Sequence, residues 1–233
     1  MRRRMLLAAG GALAMPYVAR ADTDAVDVQL VIAVDVSRSV DEEEARLQRE
    51  GYRTAMIDPR VVAAATGGML GAIAVAYVEW AGYAYQQLVI PWTRIGSPAD
   101  AAGWSDRLAA SPRNSLSWTS ISGALAFSRA VLANCPFEGT RRVVDVSGDG
   151  VNNQGPPVEF ERDRLVAEGV TINGLPIVND RPNFGVMPTQ DLEEHFRTSV
   201  IGGLGAFLIV AEDFQAFGDA IRRKLIQEIA TAR

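Results

Sequence analysis

Residues 26–39 read VDVQLVIAVDVSRS. Every position from Leu30 to Val34 is apolar, and three of the five are β-branched. A strand with one wet face alternates apolar and polar residues, whereas an unbroken apolar run fits a strand covered on both faces, as in a parallel sheet. The run ends in Asp35-x-Ser37-x-Ser39, and a helical stretch follows from about Val40 to Ile57. Outward from this centre the pattern repeats. Met69–Trp80 (MLGAIAVAYVEW) and Gln87–Trp92 (QLVIPW) read as strands joined by a short connection at Gly82, which suggests a hairpin. Ala99–Ala110 and Ser120–Ala133 read as helices, and Arg141–Ser147 (RRVVDVS) as a strand leading into Gly148-Asp149-Gly150. Pro157–Glu168 is expected to be helical, Val170–Val178 a strand and Thr189–Phe196 a short helix. Ala206–Ala211 reads as the last strand and Asp213–Ile229 as a closing amphipathic helix. Strands alternating with helices predict an α/β domain around a mostly parallel sheet. In such sheets the functional crevice lies at the carboxyl ends of the strands.

Composition narrows the chemistry. The chain has 233 residues, 48% of them hydrophobic and 22% charged, as expected of an ordinary globular protein. One cysteine, Cys135, leaves no intrachain disulfide and no cysteine-rich zinc site, and it is expected to be a buried small residue. One histidine, His195, makes a histidine-ligated metal site improbable. A formal charge of −5 provides no global basic field for nucleic acid.

The first 21 residues read as an address. Arg2, Arg3 and Arg4 precede a short stretch of apolar and small residues from Met5 to Val18, and Ala19-Arg20-Ala21 has the small-x-small form of a cleavage site. The stretch is short for a membrane span and is interrupted by Gly10, Gly11 and Pro16. The reading is an export signal cut after Ala21, by the general or the twin-arginine route, with an uncut N-terminal anchor as the alternative. Removal of its four arginines takes the formal charge from −5 to roughly −9. Residues 22–233 are then expected to form one domain that is exported to the periplasm or beyond, with no membrane span and an undetermined oligomeric state.

Three predicted loops carry oxygen donors. Asp35, Ser37 and Ser39 have an i, i+2, i+4 spacing that directs three oxygens toward one point. Thr119 precedes a helix, and Asp149 stands between two glycines after an apolar strand. Two carboxylates and three hydroxyls, without sulfur or imidazole, suit Mg²⁺ or Mn²⁺. Two carboxylates neutralise such an ion only formally, so an acidic group from a partner has a position to fill. Simpler roles exist for each residue. Ser39 with Glu42 matches a capping box, Thr119 fits an N-cap, and Asp149-Gly150 is a common turn pair. Asp41–Glu44 (DEEE) reads as the acidic first turn of a helix, and His195 as a solvated or capping side chain. Trp80, Trp92, Trp104 and Trp118 read as core or rim.

At these residues the chain resembles the von Willebrand factor A family. Its metal-ion-dependent adhesion site reads D-x-S-x-S, then a Thr, then an Asp in a D-G turn. Asp35, Ser37, Ser39, Thr119 and Asp149 match that pattern in order. The resemblance covers nearly everything after residue 25, and is strongest to secreted bacterial proteins of unassigned activity. It implies a Rossmann-like three-layer sandwich, with helices on both faces of a mostly parallel sheet and one antiparallel edge strand. It also implies direct ligation by Ser37 and Ser39, direct or water-mediated ligation by Thr119, and mainly water-mediated contact from Asp35 and Asp149. The implied function is capture of an acidic group of a protein partner, without catalysis. Two departures stand out. The last motif is S-G-D-G, which favours Asp149 over Asp145, and the stretch Val151–Pro157 (VNNQGPP) is unusual and is expected to shape the rim of the site.

A second reading is an enzyme. Gly148-Asp149-Gly150-Val151-Asn152-Asn153 also resembles the G-D-G-x-N-D signature of haloacid-dehalogenase-type phosphatases, with Asp35 at the place of their nucleophile. The general acid expected two residues later is instead Ser37. The only lysine, Lys224, follows the last motif rather than preceding it, although Arg141 or Arg142 offers a substitute. A deep pocket over Asp35 would favour the enzyme, and an open surface the binding module.

Overall fold

The apolar run becomes β1 (Ala25–Asp35), the middle strand of a five-stranded sheet. The computed structural model describes residues 25–112, 114, 116–178, 191–212 and 216–230. β1 pairs in parallel with β2 (Ile73–Trp80) on one side and β4 (Glu138–Gly148) on the other. β5 (Val170–Pro176) continues the parallel sheet beyond β4, and β3 (Gln86–Ile95) closes the opposite edge antiparallel to β2, in the order β3-β2-β1-β4-β5. The hairpin expected at Gly82 is present. Tyr85 N–H donates to the Gly82 carbonyl, and Ala81 N–H to that of Tyr85. β3 runs three residues past the expected end. Its register against β2 shifts beside Pro91, which lacks an N–H and is tolerated because β3 is an edge.

Both faces of β1 are buried, which explains its continuous apolar run. Val28, Leu30, Ile32 and Val34 pack against α1 (Glu42–Met56), α2 (Pro59–Thr66), α3 (Pro98–Ala110) and α7 (Phe217–Ala230). Val31 and Ala33 face α4 (Ile121–Ala133), α5 (Val158–Ala167) and the segment that continues α6 (Leu192–His195) as a π-helical turn, Phe196–Val200. The three layers expected from the sequence are therefore present. α2 was not legible as a periodic run because it has only 8 residues. Its punctuation was in the sequence, with Asp58 as N-cap, its carboxylate accepting from Arg60 N–H, and Pro59 at the first helical position.

The expected last strand at Ala206–Ala211 is not a regular one. Phe207 to Ala211 lies parallel beside β5 through single bridges at Gly174–Leu208 and Ile177–Ala211. Gly174 N–H donates to the Phe207 carbonyl and Ile209 N–H to that of Gly174. The next regular donor would be the N–H of Pro176, which does not exist, so one rung is missing. Pairing resumes in the same register, with Ala211 N–H donating to the Pro176 carbonyl. The expected starts at Thr189 and Asp213, and the signal at residues 1–21, lie outside the described residues. Cys135 is partly exposed rather than buried, because it follows the end of α4. Trp80 and Trp104 are fully buried, whereas Trp118 is 60% exposed. Among the described residues no helix is long and apolar enough to cross a membrane.

Candidate metal centre

The parallel strands β1 and β4 end side by side, with Val34 opposite Ser147. Their carboxyl ends therefore bring Asp35 and Asp149 to one rim of the sheet. Asp35 is fully buried. Its Oδ1 accepts from Ser37 N–H at 2.7 Å, while its Oδ2 has no hydrogen-bond partner among the described residues. Ser37 Oγ lies 2.8 Å from Ser39 Oγ, and Ser39 Oγ donates to Asp149 Oδ1 at 2.6 Å. A hydroxyl chain thus links the first loop to the last, across 110 residues of sequence. Gly148 gives this closeness room, since a Cβ there would come within 3.1 Å of Asp35 Oδ2 and the carboxylate would have to give way by a few tenths of an ångström.

The simpler roles weighed for these residues are filled by their neighbours. The N-cap of α1 is Asp41, not Ser39. Asp41 Oδ1 accepts from Glu44 N–H, and Glu44 Oε2 accepts from Asp41 N–H, so the capping box is displaced by two residues. The N-cap of α4 is Ser120, whose Oγ accepts from Gly123 N–H, not Thr119. Ser39 and Thr119 are thereby left for other work. Glu42, Glu43 and Glu44 form the acidic first turn expected from the helix dipole.

Thr119 is buried and held at both its backbone groups by Asn153. Its N–H donates to Asn153 Oδ1 at 2.8 Å, and its carbonyl accepts from Asn153 N–H at 2.9 Å. Asn152 Oδ1 accepts from Ser122 N–H, and Gln154 Oε1 from Tyr83 N–H. The VNNQGPP stretch is therefore a clamp that ties the β4 loop to the start of α4. Gly155, at φ 89°, turns the chain where a Cβ would meet Tyr83 at 2.6 Å. The roles of Asn152, Asn153 and Gln154 were not legible beforehand. Three consecutive amide side chains before a glycine are the only sequence signal for them. His195 supports the same clamp, its Nε2 accepting from Asn152 N–H at 3.4 Å.

The electrostatics are those of an acidic pair short of a cation. Burial and then the neighbouring charge of Asp149 push the Asp35 carboxyl well above the usual range, with Ser37 N–H opposing them. Burial also raises Asp149 to about 6, against the hydrogen bond from Ser39, with Glu44 adding to the rise. Among the described residues no three His, Cys, Asp or Glu side chains are grouped to hold a metal, so an ion here would depend on the hydroxyls. An orphaned buried carboxylate oxygen beside two linked hydroxyls and a second carboxylate fits a hard divalent ion. An open pocket of about 350 Å³, lined by Ser37, Arg38, Ser39, Ser117, Trp118, Thr119 and Asn153, lies over these residues. Asp145, by contrast, lies inside β4 and pairs with Lys224 at 2.5 Å, away from the loops.

Residues 25–233 match the sequence profile described as "Protein of unknown function (DUF1194)". The chain belongs to this family. Its fold is that of von Willebrand factor A domains, as the likeness to solved structures shows. Proximal thread matrix protein 1 from the mussel byssus, solved with a zinc-occupied MIDAS motif, superposes with a TM-score of 0.58 at 18% identity, covering 86% of this chain and 46% of that one. A von Willebrand factor type A protein from Catenulispora acidiphila gives 0.56 at 15% identity, over 89% and 43% of the two chains. The pilus adhesin SpaC from Lactobacillus rhamnosus GG gives 0.63 at 13% identity, over 89% and 31%. This DUF1194 chain thus spans less than half the length of those structures. No curated protein sequence matches it.

Proposed function

We propose that this chain is an exported binding module. In this reading residues 1–21 are the export signal, and residues 22–233 hold Mg²⁺ or Mn²⁺ at Asp35, Ser37, Ser39, Thr119 and Asp149 to capture an acidic side chain of a protein partner. The observation that carries this reading is the buried, unpartnered Oδ2 of Asp35 beside the Ser37–Ser39–Asp149 hydroxyl chain. When bound, the ion supplies an electrophilic position for the partner's carboxylate. The chain's own residues do the rest. Ser37, Ser39 and Thr119 offer neutral oxygens that leave the ion short of charge, and the Asn153 clamp holds Thr119 in place. A zinc-occupied MIDAS motif in the mussel matrix protein, and the adhesin role of SpaC, support metal use and protein capture by a chain of this fold.

The geometry favours binding over phosphoryl transfer. Asp35 is fully buried and does not line the pocket, whereas an attacking carboxylate must reach its substrate. Arg141, toward the start of β4, donates to the carbonyls of Glu228 and Ile229, about 23 Å along the strand from Gly148. It stands far from any phosphoryl group held by Asp35.

Titration calorimetry of the chain with Mg²⁺ and Mn²⁺ tests the site beside an Asp35→Ala/Asp149→Ala variant. Binding that the variant loses while keeping its circular dichroism spectrum is the expected result. Equal binding by the variant would mean that the ion sits elsewhere.

A further inference from the structure

Trp118 is the only described non-glycine residue with a positive φ, 73°, and its side chain is 60% exposed. A left-handed bulky residue is costly, and it persists only where its surroundings hold it. Here they do. Leu116 N–H donates to the Val36 carbonyl on one side, Asn153 holds both backbone groups of Thr119 on the other, and Ser120 N–H donates to the Ala81 carbonyl. The loop is pinned from three directions, and the outcome is a large indole presented to solvent over the candidate metal residues. Leu116 and Tyr83 are also exposed, at 39% and 49%. Arg38, between the two site serines, is exposed and has no carboxylate partner among the described residues. Nearby Arg46 and Arg49 are paired, with Glu43 and Glu79. The rim therefore presents an aromatic platform and one unsatisfied positive charge in a chain that is acidic overall.

Building on the metal-dependent capture proposed above, we propose that this rim selects a partner segment with two acidic side chains and an adjacent apolar or aromatic one. One carboxylate goes to the metal, the second pairs with Arg38, and the apolar side chain lies on Trp118. A lone carboxylate is common on protein surfaces, so the second contact and the platform supply the discrimination.

The test is selection of a phage-displayed library of random linear heptapeptides on the full chain in Mg²⁺, with elution by EDTA. Eluted peptides are expected to carry at least two Asp or Glu with an aromatic or aliphatic neighbour. Arg38→Ala and Trp118→Ala should each weaken a selected peptide on the order of tenfold while leaving Mg²⁺ affinity within about twofold. Selection on Arg38→Glu should retain one acidic position and lose the second. EDTA-eluted peptides with a single acid, or unchanged binding by both alanine variants, would overturn this inference and leave the metal reading standing. Enrichment that EDTA does not release, with no Mg²⁺ binding by calorimetry, would bring down the metal reading and this inference with it.

Discussion

Ser39 and Asp41 are two positions apart at the start of α1, yet their side chains face different tasks. Asp41 accepts from the N–H of Glu44, while Ser39 reaches across to Asp149. An N-cap removed to alanine costs about 1 kcal/mol, because an orphan helix donor loses its acceptor. Asp41→Ala should therefore lower the free energy of urea unfolding by that amount and leave Mg²⁺ affinity unchanged. Ser39→Ala should do the reverse, weakening Mg²⁺ binding tenfold or more on the order-of-magnitude scale of a lost ligand, with a smaller change in midpoint. Parallel denaturation and calorimetry separate the two. Equal effects of both variants on metal binding would mean that the first turn of α1, and not Ser39 itself, shapes the site.

At the level of elements, the candidate centre depends on a loop that contributes no proposed ligand beyond Asp149. Asn152, Asn153 and Gln154 tie the end of β4 to the start of α4 and to the β2–β3 hairpin. Asn153→Ala removes the acceptor for the buried Thr119 N–H, at a cost of about 1–2 kcal/mol. Mg²⁺ affinity should fall with it, and Asn153→Asp, which keeps the acceptor oxygen, should restore much of both. An alanine variant that loses stability but binds Mg²⁺ normally would remove Thr119 from the ligand set. The irregular edge beside β5 shows the same dependence of an element on one residue. Its apolar run was legible, but the effect of the rung missing at Pro176 needs the pairing partner to be known.

Across the whole molecule, a second group of buried charge lies away from the rim, between β4 and the closing helix. Lys224 on α7 is fully buried and bridges Asp145 of β4 and Glu228, each at 2.5 Å, while Asn173 of β5 donates to Glu228 at 3.0 Å. This ties the closing helix to two strands. Removing one member of a buried ionic group leaves the others uncompensated, so Lys224→Met should cost on the order of 3–5 kcal/mol. Neutralising all three, by Asp145→Asn, Lys224→Met and Glu228→Gln together, should recover most of that loss. Burial and then Asp145 raise the Glu228 carboxyl from 4.5 to about 7, against Lys224 and Asn173. The folded chain therefore keeps this proton at a pH where the unfolded chain has released it. Its contribution favours folding at low pH and is lost as pH rises from the ordinary carboxylate range through about 7. Urea midpoints measured across that window should fall with pH in the wild type and fall less in Glu228→Gln. Equal slopes would place the titration at other groups.

The mostly parallel sheet with its antiparallel edge strand, the helices on both faces, and the places of Asp35, Ser37, Ser39 and Asp149 after strands and of Thr119 before a helix were legible in the sequence, whereas the strand order was not. A strand buried on both faces must be apolar at every position, and oxygen donors at its end stand out against that background. Which hydroxyl caps a helix and which one turns toward a carboxylate was not legible. S-x-x-E and D-x-x-E overlap at the start of α1, and only the fold shows that Asp41 takes the cap. The Asn153 clamp, the strained Trp118 and the ion group around Lys224 were equally hidden. The clamp joins residues 34 positions apart, the ion group draws Asn173 and Glu228 together across 55, and the Trp118 turn depends on several elements meeting at once. Local composition sets the burial of a strand, whereas the partner of a polar side chain is set by where distant loops converge.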